Sequence, residues 1–428
     1  MSVNIYKFGG ASVKDAAGFI NVANIIAQRK DQKIGVVVSA TGKTTNALEE
    51  VVNAYFQHKG NAKQLIDAIK QHHLSIGADL GISGEVIEEE FNDLFVEVDW
   101  ILEDEVHDSY DYLYDQIVSI GELVSSKILY HLLKSKGVKT EWIDIRDVLI
   151  TDENHREAKV KWDITLPKIK ERVDVALVES DVVVTQGFIG STTENNTTTL
   201  GREGSDYTAA ILSYCIDAEG MHIWKDVPGV LTADPAMFEN VTKIERLSYN
   251  EAIEMTYYGA KVIHPKTIKP LQNKNIPLYV RPFGDISSMG TRIGDSGEFT
   301  YPPIVVIEPN QCLVHISVKD FSFVAEQHIS EIFRIISELR LKVNMMRNTA
   351  ISFSLCLQNN PEKIEQFKKS IGNEFSILVD ENLELITIRH YSDEVLEQMK
   401  KGKLTLMEER LRDTVQIVVK EVPPIVRK

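Results

Sequence analysis

Short β-branched runs alternate with longer stretches of helical period over the first two hundred residues. Near-continuous apolar runs at 4–8, 34–39 (IGVVVS), 140–145 and 181–186 (DVVVTQ) predict strands buried on both faces. Between the first two, Phe19, Val22, Ala23 and Ile26 recur on one helical face, with Ser12 as the expected N-cap. Strand, helix and strand in this order predict an α/β fold with a mostly parallel, helix-covered sheet. From 55 to 115 the chain turns helical and acidic, and Phe91, Leu94, Phe95, Val98 and Ile101 give it an apolar stripe, so it reads as a solvated helical excursion. Core strands resume at 221–226 and 276–281. Residues 294–303 (GDSGEFTYPP) read as a linker.

Beyond the linker the period shortens. A strand at 311–318, a helix at 325–340 with Ile329, Ile332, Phe333, Ile336 and Leu339 on one face, strands at 343–346 and 351–357, a helix at 361–370 and a strand at 384–390 are expected. That β-α-β-β-α-β order predicts a separate ferredoxin-like α+β region. The tail, 404–422, alternates like further strands, with no helix expected after Lys403.

Composition narrows the classes. At 428 residues the chain is long for one core, so two or three domains are expected. Forty-seven Lys+Arg against 63 Asp+Glu leave a charge of −16 with no basic stripe, which argues against nucleic acid as a partner. Cys215, Cys312 and Cys356 are widely spaced and form no CxxC pair, so reduced core thiols in a cytoplasmic protein are expected. The start MSVNIYKFGG has no signal-peptide pattern, and no apolar run approaches membrane-spanning length.

Candidate chemistry clusters where strands end. Lys7-Phe8-Gly9-Gly10-Ala11-Ser12 joins the first strand to a helix, and paired glycines let backbone amides approach a phosphate. On this segment alone an ordinary tight turn is the alternative. Ser39-Ala40-Thr41-Gly42-Lys43-Thr44 ends like a P-loop, but the position needing the first glycine is Val37, inside a strand. What survives is a hydroxyl-rich loop at a strand's carboxyl end, the usual ligand position of an open α/β sheet. Glu122, on an apolar helix expected over 116–133 with Val118, Ser125 and Leu129 on its face, is a part-buried carboxylate that wants a cation; an internal salt bridge and a ligand ammonium both fit. The densest segment, 185–210, carries three successive threonines and then Gly201-Arg202-Glu203-Gly204-Ser205-Asp206 before an apolar helix. Arg202 offers a planar fork for a carboxylate, and Ser205 or Asp206 a helix cap. Lys225 with Asp226, and Lys261, stand near later strand and helix ends.

Taken together, KFGGASV, SATGKTTNAL, SIGELVSSKIL, TQGFIG, TTTLGREGSDYTAA, WKDVPGVLTADP and YYGAKVIHPKTI resemble the aspartate kinases of the amino-acid kinase superfamily. The resemblance implies a three-layer α/β/α kinase domain over 1–296 and an ACT-like regulatory region over 304–428, whose second ACT unit is degenerate and lacks its first helix. It implies transfer of the γ-phosphoryl of ATP, with Mg²⁺, to the side-chain carboxylate of L-aspartate, the entry step to lysine, threonine and methionine. By the same resemblance Lys7, Asp206 and Lys261 are catalytic. Ser39, Thr45, Glu122, Phe188, Arg202 and Ser205 bind aspartate. Lys7, Phe8, Gly9, Gly10, Ser12, Lys225, Asp226, Leu231, Lys261 and Val262 bind ATP, and no side chain is assigned as a metal ligand.

A homodimer or larger through the ACT-like region is expected from the resemblance, with 311–318 and 351–357 as the pairing strands and an amino acid as possible effector. Two departures qualify it. Leu231 and Ala236 replace an aromatic ring and an arginine beside the nucleotide, and Asn344, Asn348 and Ala350 replace groups that hold a zwitterionic effector. Weak or absent inhibition by lysine is therefore expected. The rivals are a glutamate-using kinase of the same superfamily and an inactive amino-acid sensor.

Overall fold

The computed structural model describes residues 2–29, 32–260, 263–295, 297, 299–319 and 323–422. Two units divide the chain. One comprises Met1–Val230, Lys243–Ile253 and Lys261–Phe299, the other Leu231–Thr242, Glu254–Ala260 and Thr300–Lys428.

The first unit contains β1 (Val3–Phe8), β2 (Lys33–Val38), β3 (Thr140–Trp142), β4 (Val182–Gln186), the hairpin β5 (Ile189–Ser191) and β6 (Thr197–Thr199), β7 (Gly220–Lys225), β8 (Arg246–Leu247), β9 (Leu278–Pro282) and β10 (Thr291–Ile293). All but the hairpin form one sheet in the order β3-β4-β2-β1-β7-β9-β10-β8, parallel except where β9 meets β10. Strand alternation sends Tyr6, Phe8, Val36, Val38 and Val184 to one face, where they join Phe19, Val22, Leu48, Ile128 and Leu132. Ile5, Val183 and Thr185 point to the other face and meet Val173 and Leu212 from the helices Trp162–Glu179 and Gly204–Cys215. Each such fully buried aliphatic side chain contributes about 1.5–3 kcal/mol, which is why both faces are covered and the sheet makes the middle of three layers.

Two local expectations are corrected. The first long helix is Ala16–Ala27, and its cap is Asp15, whose Oδ1 accepts the Gly18 amide at 2.8 Å. Ser12 sits earlier, in the 3-10 turn Gly10–Val13 that the chain makes before it enters the helix, where its amide donates to the Gly9 carbonyl at 2.9 Å. The helix expected over 116–133 is two helices, Tyr110–Val118 and Ile120–Ser135. At the junction the Ser119 hydroxyl donates to the Gln116 carbonyl at 2.9 Å, a side-chain bond that competes with the helical ladder.

The second unit is built on one antiparallel sheet of β11 (Ile304–Val318), β12 (Val343–Asn348), β13 (Ser352–Gln358), β14 (Phe375–Arg389), β15 (Lys403–Arg410) and β16 (Thr414–Glu421), ordered β12-β13-β11-β14-β16-β15. The helices Glu326–Glu338 and Pro361–Ile371 cover Val314, Ile316, Phe353 and Leu355 at one end. The helix Asp393–Lys400 covers Ile386, Ile388 and Ile417 at the other.

Three expectations change here. The last strand of the ferredoxin-like unit is 375–380, which pairs with 313–318; the segment expected for it, 384–390, is largely the far half of the same long β14 and pairs with the far half of β11. The strands expected to pair across subunits are interior, since β11 is bonded to β13 and β14, and β13 to β12 and β11. A helix does precede β15 and β16: Asp393–Lys400 is capped by Ser392, but with Leu396 as its one fully buried position it is too short to show a period.

Candidate active site

In the sheet order β1 lies between β2 and β7, so the winding reverses at its carboxyl end. Ligands of open α/β sheets bind at such a switch point. Lys7, Phe8, Gly9 and Gly10 stand there. Lys7 is buried at the end of β1, and its Nζ lies 2.6 Å from Oδ1 of Asp206, itself buried in the first turn of the helix Gly204–Cys215. A carboxylate in a helix's first turn is favoured by the helix dipole, and the ion pair ties that helix to the sheet.

The turns after β1 and β2 interlock. The Gly42 amide donates to the Gly10 carbonyl at 3.0 Å, and the Ser39 amide to the Phe8 carbonyl at 3.1 Å. A Cβ on Gly10 would fall 2.8 Å from both the Ala40 and Gly42 carbonyl oxygens, so only glycine fits. The amides opening this site therefore head a 3-10 turn, not the long helix behind it.

Glu122 is almost fully buried in the first turn of Ile120–Ser135. Its Oε1 accepts the Ala40 amide at 3.3 Å; its Oε2 is buried with no hydrogen-bond partner among the described residues. Burial pushes the Glu122 carboxyl up to about 8. Glu122 makes no ion pair among the described residues, so none of them supplies the internal salt bridge that competes with a ligand ammonium. The neighbouring Ser125 hydroxyl donates to the Ser39 carbonyl at 2.8 Å, fixing the loop. Thr45 is half-buried at the start of the helix Thr44–Phe56, and its neighbour Thr44 is held by Nε2 of the buried His73 at 3.3 Å.

Phe188 and Arg202 come from the segment around the β5–β6 hairpin. The Phe188 amide donates to the Thr208 hydroxyl at 3.0 Å, and its carbonyl accepts the Leu200 amide at 2.8 Å. Phe188 and Glu203 adopt φ of 71° and 55°. Left-handed backbone at non-glycine residues costs about 1–3 kcal/mol and gathers at functional sites. Arg202 is exposed and Ser205 buried. Lys225 is half-buried at the end of β7, beside β1, and Asp226 is exposed.

The structure thus brings Lys7, Gly9 and Asp206 together, and Gly10 and Glu122 with the loop after β2. Leu231 falls in the second unit. Lys261 and Val262 lie outside the described residues. Asp115, a buried carboxylate beneath the hairpin, escaped the sequence reading, while Thr41, one of the hydroxyls of the loop after β2, is buried with no hydrogen-bond partner among the described residues. Asp115 had no signal, because its partners are remote in sequence.

Residues 2–282 match the model of the amino acid kinase family. Lysine-sensitive aspartokinase 3 of Escherichia coli (strain K12) is 32% identical over 362 residues, 82% of this chain and 78% of that protein. The chloroplastic bifunctional aspartokinase/homoserine dehydrogenase 2 of Arabidopsis thaliana is 28% identical over 389 residues, 87% of this chain and 42% of that longer protein. E. coli aspartokinase III superposes with a TM-score of 0.82 at 26% identity, both in complex with aspartate and ADP, covering 98% of this chain and 96% of that one, and in complex with lysine and aspartate, covering 97% and 95%. With its switch-point lysine, interlocked glycine turns and buried acid in place, the chain belongs to the amino acid kinase family, and within it to the aspartate kinases.

Proposed function

We propose that this aspartate kinase transfers the γ-phosphoryl group of ATP to the side-chain carboxylate of L-aspartate with the residues named above. The observation that carries the reading is the Lys7–Asp206 ion pair at the switch point, with the unpartnered Glu122 oxygen beside the Ala40 turn. Aspartate's side chain is ionised at pH 7, since the reference pKa is about 3.9, so no general base is needed. A carboxylate oxygen bonds to the γ-phosphorus as the bond to the bridging oxygen breaks, and that electron pair leaves with ADP. What the protein must supply is alignment and positive charge.

Lys7 and the amides of the Gly9–Ser12 turn face the phosphates. Glu122 takes the substrate ammonium and Arg202 the α-carboxylate, with Ser39, Thr45, Phe188 and Ser205 completing the pocket. Lys225 and Asp226 serve the nucleotide. Mg²⁺ enters as part of the MgATP substrate; such an ion binds through one or two carboxylates and phosphate oxygens, and Asp206 is the carboxylate at this strand end. Held there, the ion would neutralise phosphate charge.

The same proposal gives the second unit a regulatory and assembly role. Its sheet edges are β12 and β15, where Met346 and Leu404 are exposed, and a homodimer or larger through these edges is the arrangement we favour. No helix among the described residues is long and apolar enough to cross a membrane. A coupled ADP-release assay with aspartate and glutamate side by side tests the activity. Turnover with aspartate alone is expected; ADP release with glutamate alone, or with neither, overturns it.

A further inference from the structure

The three successive threonines are not explained by ligand contacts, yet each is buried with its own side-chain partner. Thr197 Oγ1 accepts from Arg146 Nη1 at 3.3 Å, Thr198 Oγ1 meets Thr151 Oγ1 at 2.7 Å, and Thr199 Oγ1 donates to Asp115 Oδ1 at 2.6 Å. Gln116 reads the same strand by its backbone, donating to the Thr197 carbonyl at 2.8 Å and accepting the Thr197 amide at 3.3 Å. β6 is therefore bolted down on both faces, as strand alternation requires of a short segment that must not slip.

Asp115 is the centre of this arrangement. Besides Thr199, its fully buried carboxylate accepts the Arg156 amide at 3.0 Å and meets His155 Nδ1 at 2.9 Å. The loop it fixes is the floor of the next segment: the Ala158 amide donates to the Thr199 carbonyl at 3.0 Å, and a Cβ on Gly201 would fall 2.9 Å from the Arg156 carbonyl oxygen, at a φ of 75° that favours glycine. Arg202 follows directly. One carboxylate thus sets both the strand that delivers Arg202 and the backbone on which Gly201 rests.

We propose that Asp115 is a positioning residue for substrate recognition, acting through Thr199 and the Arg156 backbone to set the place from which Arg202 reaches the substrate carboxylate. This rests on the role given to Arg202 above. Steady-state kinetics on folded variants test it, with Arg202→Ala as reference. Thr199→Val, which keeps shape and removes the hydroxyl, is expected to raise the KM for aspartate about tenfold while the KM for ATP stays within about twofold and kcat within about threefold. Thr199→Ser restores the parental value, and Asp115→Asn follows Thr199→Val if it folds. A folded Thr199→Val enzyme with parental aspartate KM, alongside an Arg202→Ala enzyme with a raised one, overturns the positioning role and leaves Arg202's role standing. An unchanged aspartate KM in Arg202→Ala overturns the underlying reading, and the proposal with it.

Discussion

Glu122 accepts the Ala40 amide on one oxygen, 3.3 Å away, and keeps the other buried without a donor among the described residues. The two residues join the turn after β2 to the helix that opens at Ile120, and they leave an acid that waits for a cation.

The pH dependence of aspartate recognition follows. Burial raises Glu122 from its ordinary 4.5 to about 8, so the empty site holds the neutral acid at neutral pH. Accepting an ammonium requires the carboxylate, and binding then releases a proton. The KM for aspartate is expected to fall as pH rises from about 6 to about 8 and to level off above, while Glu122→Gln raises KM and removes the slope. Measurement at a series of pH values decides it; a parental KM flat across that range contradicts the assignment.

The same group shapes stability without substrate. The folded protein holds its proton to about pH 8 whereas the unfolded chain gives it up near 4.5. Glu122's favourable share is therefore complete below pH 4.5, declines as pH rises to about 8, and is then constant. Melting temperatures of the parent and Glu122→Gln across this range are expected to converge at acid pH and diverge toward pH 8, with the variant the more stable. A constant difference across the range refutes this.

Lys7→Met is expected to lower kcat by at least about 10²-fold, the usual cost of one preorganised donor at a charged transition state. It also strands the buried Asp206 carboxylate, 2.6 Å from the lost ammonium. Removing one partner of a buried pair costs about 3–5 kcal/mol, so the variant is less stable as well. Adding Asp206→Asn recovers stability and leaves activity low. Recovery of activity in that double variant contradicts the role of Lys7.

Arg202 is exposed and free to fork onto a carboxylate that arrives from solvent. Arg202→Ala is expected to raise the KM for aspartate by about 10-fold or more with little change in that for ATP. The opposite pattern reverses the assignment.

Inhibition by lysine is expected only above about a millimolar, where binding is worth about 4 kcal/mol. Asn344 donates to Gln311 Oε1 at 2.8 Å, and Asn348 and Ala350 are exposed, so at these three positions an ammonium and an α-carboxylate find no charged partner. Activity titrated with lysine, with mass followed by light scattering, tests this. Half-inhibition well below a millimolar shows a working effector site.

Lys7, the glycine pair, the loop after β2 and the Arg202–Asp206 string stood out as candidates because each is local: a strand's end, a turn and a helix start lie within a dozen residues. The parallel sheet and the first five elements of the smaller fold were legible for the same reason, since apolar period is written residue by residue; the sixth, 375–380, was not, because it runs without a break into the stretch 384–389 that was expected in its place. Other features had no local signal. Whether Glu122 meets an internal cation depends on everything packed around it. β11 and β14 run on for 15 residues each because they pair with each other along their length, and a strand ends where its partner does. Asp115 looks like any helical acid until residues 155, 156 and 199 converge on it. Local propensity and alternation lie in neighbouring residues, whereas partners for buried polar atoms come from segments far apart in the chain, so only folding assigns them.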